Sequence, residues 1–136
     1  MPLRFLDTNI FIRYFTKDDE VKAAKALALL ERVERGVEKI ITSEMVVFEV
    51  VFTLEHSYRL EKSKVRGMVS DILSLRSLRV PGKRLLIRAL ELHASANISF
   101  VDAYNAVSMA EYGVSEIYSW DTDFDKLPGV NRIEPE

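Results

Sequence analysis

The sequence predicts an α/β fold, a three-layer α/β/α sandwich around a central parallel sheet, with residues 1–136 forming a single domain. Short apolar or β-branched runs alternate along the chain with longer stretches of helical periodicity. Strands separated by helices are the pattern of β-α-β crossovers, which impose parallel pairing and cover the sheet with helices. A length of 136 residues suffices for one core and is short for two.

Leu3 to Leu6 reads as a buried strand, and Asp7-Thr8-Asn9 supplies helix-start chemistry before Ile10 to Phe15. Asp18 or Asp19 then caps "DEVKAAKALALLERVERG", with Val21, Ala24, Leu27, Ala28 and Leu30 expected toward the core and Gly36 as the stop. "KIITS" is a short strand. Ser43 caps "EMVVFEVVFTLEHSYR", which is apolar almost all round from Met45 to Leu54 and so is expected to be largely buried. A helix from Ser63 to about Leu75 precedes "LRV", a short strand before Pro81-Gly82. "KRLLIRALELHAS" is helical, Ser99 starts "FVDAYNAVSMAEYG", and Gly113 ends it. "EIYSW" and "VNRIE" are the last strands.

Composition narrows the chemistry. With 48% hydrophobic and 29% charged residues, 5 Gly and 4 Pro, the chain has an ordinary globular make-up. No apolar run approaches the roughly 18 residues that span a bilayer, and the start lacks the organisation of a signal peptide, so a cytoplasmic protein with no membrane partner is expected. The absence of Cys removes disulfides, thiol nucleophiles and Cys-ligated zinc, and His56 and His93 alone cannot make a zinc triad. Any metal would be held mainly by carboxylates. Charge is unevenly spread: residues 59–88 carry nine Lys or Arg against two acids, and residues 89–136 carry nine acids against two bases. The basic stretch suits a solvated helix face and a nucleic-acid contact surface equally well.

Several acids stand out from their surroundings. Glu49 has Met45, Val46, Phe52 and Thr53 at helical spacing and no base among them, so its charge is costly unless compensated or left at a wet rim. Asp102 fits a capping box after Ser99, and Ala103, Ala106 and Ala110 would let its helix lie close to neighbouring backbone. Asp7 fits an N-cap, and "DTDFD" from Asp121 to Asp125 fits an acidic turn. Asp7 and Asp121 nevertheless each follow a strand directly, where ligands bind in parallel α/β folds. Four acids near one sheet edge would repel one another and need a counter-charge. Hard divalent cations prefer oxygen ligands, so this pattern matches one or two Mg²⁺ or Mn²⁺ ions able to activate water for phosphoryl displacement.

These residues resemble the PIN-domain ribonucleases, most closely the VapC-like toxins of prokaryotic toxin-antitoxin modules. "FLDTNIFIRYF" resembles the family's opening strand and first acid, "SEMVVFEVVFTL" its acid-bearing helix, "ISFVDAYNAVSMA" its third-acid helix, and "EIYSWDTDFDKLPGV" its closing strand and acidic loop. The resemblance implies that Asp7, Glu49, Asp102 and Asp121 are the catalytic and metal-binding acids, with Asp125 a further candidate and Asp123 a loop residue. Asn9 and Ser119 would hydrogen-bond within the site, and Thr8 belongs to the opening motif. It also implies Mg²⁺- or Mn²⁺-dependent cleavage of RNA by a metal-activated water, a homodimer, and a small antitoxin that covers the active groove. Arg13 and the basic stretch would then hold RNA phosphates. An aspartate-nucleophile phosphatase is disfavoured, since Asn9 stands where that chemistry wants a second acid. A non-catalytic PIN-like module binding RNA or protein is the other alternative.

Overall fold

Three short parallel strands order the first part of the chain. β1 (Arg4–Phe5) pairs with β2 (Ile40–Ile41), and β2 pairs with β3 (Leu78–Arg79), Arg4 standing opposite Ile40 and Ile40 opposite Leu78. Parallel neighbours need a long crossover between them. Helices α1 (Thr8–Thr16) and α2 (Glu20–Glu34) supply it between β1 and β2, and α3 (Glu44–His56) and α4 (Lys62–Leu73) between β2 and β3. The computed structural model describes residues 2–136 and divides into two compact units, one ending at Lys83 and the other Arg84–Glu136.

The second unit contains α5, which starts at the unit boundary (Lys83–Ala96), α6 (Phe100–Tyr112), and two parallel strands, β4 (Glu116–Tyr118) and β5 (Asn131–Ile133). A 3-10 helix, Thr122–Lys126, lies in the connection between those strands. The α/β class, the parallel pairing and the six α-helices are as the sequence predicts. None of these helices is long and apolar enough to cross a membrane among the described residues.

Local chemistry explains the boundaries. Asp19, rather than Asp18, caps α2 by accepting a hydrogen bond from the Lys22 N–H at 3.0 Å. Ser43 caps α3 through the Val46 N–H at 3.1 Å, and Ser99 caps α6 through the Asp102 N–H at 3.1 Å. These bonds satisfy donors that the first helical turn leaves without a partner. Gly113 ends α6 at φ 70°, in the left-handed region where glycine carries no Cβ penalty.

The buried face of α2 differs from the one expected. Ala23, Ala26, Leu30 and Val33 are buried, whereas Val21 and Leu27 are 67% and 40% exposed. Apolar residues occur on more than one stripe of this helix, so periodicity alone leaves its rotation open. The i, i+3, i+7, i+10 stripe carries two alanines beside α1 and seats Leu30 and Val33, each worth about 1.5–3 kcal/mol on full burial. Helix α3 is also less enclosed than its composition suggests. Val46, Val47, Val50, Val51 and Leu54 form its buried face, while Met45 and Phe52 are 74% and 62% exposed. In β1 only the following residue, Leu6, is buried; Leu3 and Phe5 are accessible, in contrast to the buried strand expected there.

Two polar ties fix the elements that carry the functional candidates. The Thr42 hydroxyl, buried at the end of β2, donates to the Leu6 carbonyl at 2.7 Å and so pins the backbone just before Asp7. Beyond α1, the Asp18 carboxylate accepts from Arg13 at 2.7 Å, Thr16 at 3.1 Å and the Tyr58 hydroxyl at 2.7 Å. The bonds from Tyr58 and Arg13 hold the Asp18 carboxyl down to about 2 from its ordinary 3.8. A carboxyl depressed in the folded state adds stability above pH 3.8 that disappears as pH falls toward 2. Thermal unfolding of an Asp18→Ala variant is therefore expected below wild type at pH 6, with the gap closing between pH 4 and pH 2. A gap independent of pH across that window contradicts this role.

Candidate metal centre

The connection after β4 carries Asp121, Asp123 and Asp125, two of which join a group of acids among the described residues. Strand β4 ends at Tyr118, and the Ser119 N–H donates to the Ile133 carbonyl at 3.0 Å, which continues the pairing with β5 by one residue. The Ser119 hydroxyl oxygen accepts from the Asp121 N–H at 3.0 Å, and an Asp121 carboxylate oxygen accepts from the Asp123 N–H at 2.9 Å. Each bond spans two residues, the spacing at which Ser and Asp side chains set the backbone of a turn. Arg132 on β5 secures the same segment by donating to the Ser119 carbonyl at 3.1 Å.

Asp102 comes to this loop from the first turn of α6. Ala103 and Ala106 on that helix are buried, in keeping with close packing, while Ala110 is exposed. Asp102, Asp121 and Asp123 can each present one carboxylate oxygen within 4.8 Å of the others. Partial burial pushes the Asp102 carboxyl above its ordinary value; a hydrogen bond with Ser99 opposes this, and the hydrogen bond and charge of Asp121 and the charge of Asp123 add to it. Like charges held this close disfavour full ionisation and are relieved by positive charge; the Lys126 ammonium, 3.2 Å from an Asp123 oxygen, supplies part of it, and a metal cation at the group would supply the rest. Three hard oxygen donors, two of them at the end of a β-strand, fit a divalent ion of the Mg²⁺ or Mn²⁺ type.

Asp123, read from the sequence as a loop residue, has its carboxylate in this group. The clue to it was the Asp-Thr-Asp spacing, which suits an aspartate-initiated turn that presents both carboxylates. Asp125, read as a further acid of the site, is instead engaged by Arg132, with two hydrogen bonds at 3.1 and 3.3 Å, and lies outside the group. The guanidinium neutralises it and turns it toward β5.

The remaining candidates lie in the first unit. Asp7 is the N-cap residue of α1, directly beyond the carboxyl end of β1, yet its side chain makes no capping hydrogen bond. Capping therefore does not account for an acid there. Thr8 is buried in the first turn, and Asn9 is exposed beside it. Glu49 lies on the exposed side of α3, so water compensates its charge and the costly buried carboxylate considered from the sequence does not arise. Arg13 is bound to Asp18. The basic stretch of residues 59–88 is partly consumed inside the protein: Lys83 bonds the Leu75 and Leu78 carbonyls, and Arg84 and Arg88 pair with Glu111. Burial lowers the Lys83 ammonium pKa.

Parallel α/β units with acids placed beyond strand ends define a class of proteins suited to binding a divalent cation. The chain belongs to the PIN domain family, whose sequence model matches residues 4–130. Among its relatives is a VapC ribonuclease of Aquifex aeolicus (strain VF5), 26% identical over 133 residues, an alignment that covers 98% of this chain and 97% of the relative.

A cation that binds only the folded acids stabilises the fold by mass action, about 2.7 kcal/mol at a hundred times its dissociation constant. Mn²⁺ is thus expected to raise the melting temperature of the wild type and to leave Asp121→Asn unmoved. In EDTA, Asp102→Asn is expected to melt above the wild type, because it removes one of three crowded charges. An equal Mn²⁺ shift in both proteins contradicts the site.

Proposed function

We propose that the chain is a metal-dependent endoribonuclease of the VapC type, the toxin of a toxin-antitoxin module. The observation that carries this reading is the group of Asp102, Asp121 and Asp123 at the end of a parallel strand in a chain that belongs to the PIN domain family. The name of the Aquifex relative supports the substrate class. In this reading residues 1–136 act as one catalytic domain, in the cytoplasm.

Mg²⁺ or Mn²⁺, when bound, supplies a water acidic enough to attack at neutral pH and a positive charge for the phosphoryl oxygens. The protein's part is to hold and orient. Asp102, Asp121 and Asp123 provide hard oxygen donors; the roles of Asp7 and Glu49 as further carboxylates of the mechanism rest on the likeness to PIN-domain ribonucleases. Ser119 sets the direction of Asp121 through its backbone N–H, which makes it a positioning residue. Asn9 offers an amide to the RNA or to Asp7, and Thr8 keeps α1's first turn packed. A homodimer and a small antitoxin that blocks the active groove complete the proposal; both rest on the likeness to VapC proteins.

Purified protein incubated with mixed-sequence RNA and Mn²⁺ is expected to yield discrete fragments, and EDTA to abolish them. Asp7→Asn and Asp121→Asn are expected to lower the rate by more than about 100-fold, and Ser119→Ala by roughly 10- to 100-fold, the range found for groups that orient ligands. Cleavage that persists in EDTA or in Asp7→Asn overturns the mechanism. RNA binding with no cleavage in Mn²⁺ leaves the non-catalytic module.

A further inference from the structure

Helix α2 separates its charges. One flank faces a cavity of about 440 Å³ bordered by Glu31, Glu34 and Asp71, with Lys17 as the only cation in its lining. The other flank faces α1 across a groove of about 460 Å³ lined by Arg13, Lys22, Lys25 and Arg32, with no acid in its lining. Asn9, Ile10, Ala26 and Leu29 complete its lining. Sequence reading placed the basic surface at residues 59–88 and missed this one, because acids at 18, 19, 20, 31 and 34 offset the cations of α2 in a linear count.

Two of the four cations are already engaged. Arg13 pairs with Asp18 at 2.7 Å and Arg32 with Glu38 at 3.3 Å. Lys22 and Lys25 form no ion pair among the described residues, and they sit one helical turn apart on the open side of the groove. The cations at positions 22 to 32 extend over about 15 Å of helix axis, more than a single phosphate or carboxylate spans. The groove therefore suits a chain of regularly spaced negative charges. Asn9 in its lining is two residues along the chain from Asp7, whose carboxylate makes no capping hydrogen bond.

We propose that the α1–α2 groove holds the sugar-phosphate backbone of single-stranded RNA, with Lys22 and Lys25 as its principal phosphate contacts. This rests on the ribonuclease reading above and names where that substrate lies on the first unit. RNA is favoured over an acidic peptide because its phosphates recur at every nucleotide along the spread of cations, and Asn9, two residues along the chain from Asp7, lines the same groove. Binding through phosphates is sequence-independent and weakens with salt, by about 0.7 in the log–log slope for each phosphate neutralised on a single strand.

The test measures binding of a fluorescein-labelled mixed-sequence 12-nucleotide single-stranded RNA by anisotropy in EDTA, across a KCl series, beside cleavage of the same RNA in Mn²⁺. Lys22→Ala/Lys25→Ala is compared with Arg35→Ala/Lys39→Ala, which removes the same charge from exposed positions outside the groove lining. The groove variant is expected to bind about tenfold more weakly and to lose about 1.4 from the salt slope. The comparison variant is expected to stay within about twofold of wild type. Circular dichroism melts establish that both variants are folded. Equal loss in the two variants, or undiminished binding in the groove variant, overturns the proposal. So does a groove variant that binds RNA normally but no longer binds a poly-glutamate peptide, which marks a peptide site. Cleavage in Mn²⁺ reads the ribonuclease assignment separately: loss of binding in the groove variant of a protein that does not cleave supports the groove while refuting the nuclease.

Discussion

Mutual repulsion among Asp102, Asp121 and Asp123 is the constraint around which the second unit is arranged. Their oxygens approach within 4.8 Å, held there largely by backbone-directed hydrogen bonds, with Lys126 at 3.2 Å from Asp123 offsetting one of the three charges. The Ser99 cap fixes the start of α6, Ser119 fixes the backbone at Asp121, and Asp121 in turn fixes Asp123. Each of these bonds is modest, on the order of 1 kcal/mol. Together they keep three like charges facing one another, an arrangement that costs stability unless a cation joins it. Arg132 is close in sequence and available, yet it bonds Asp125, Glu134 and the Ser119 carbonyl rather than the acid group. The nearest guanidinium thus braces the loop from outside, and the Lys126 ammonium, 3.2 Å from an Asp123 oxygen, is the one ion-pair partner of the three carboxylates among the described residues.

The first unit shows the same economy at Asp7. Thr42 and the β1–β2 pairing hold the backbone at Leu6, α1 begins at once, and the Asp7 carboxylate takes no part in capping. Its carboxylate makes no capping hydrogen bond, and its place beyond a parallel strand is where α/β folds bind ligands. The charge separation across α2 extends the pattern, with Asn9 of α1 lining the groove on its basic flank. Within the first unit, an acid beyond a strand end and the cations of the α1–α2 groove thus occur in one short stretch of chain, Asp7 to Arg32.

Much of this was legible in the sequence where a residue acts through the backbone it sits in. Ser43, Ser99 and Gly113 announce helix ends by local chemistry, and the alternation of short strands with helices announces the parallel pairing. What stayed hidden depends on which way a helix turns. The apolar residues of α2 and α3 occupy too many positions to define one face, so Val21, Met45 and Phe52 were expected inside and stand exposed. The same ambiguity concealed the basic flank of α2, whose cations converge only once Ala26 and Leu30 have chosen the core. Within "DTDFD" the spacing left the roles of the last two acids open, and a partner on another strand separates them. Arg132 draws Asp125 away, while Asp123 follows Asp121 into the group.

Counting Mn²⁺ ions bound per chain by equilibrium dialysis tests the assembled acids most directly. Wild-type protein freed of metal is expected to take up Mn²⁺ saturably, with Asp102→Asn, Asp121→Asn and Asp123→Asn each losing at least one bound ion or weakening it by tenfold or more. Asp125→Asn is expected to match the wild type. Equal uptake by all of these proteins, or loss confined to Asp125→Asn, would contradict a metal centre built on Asp102, Asp121 and Asp123.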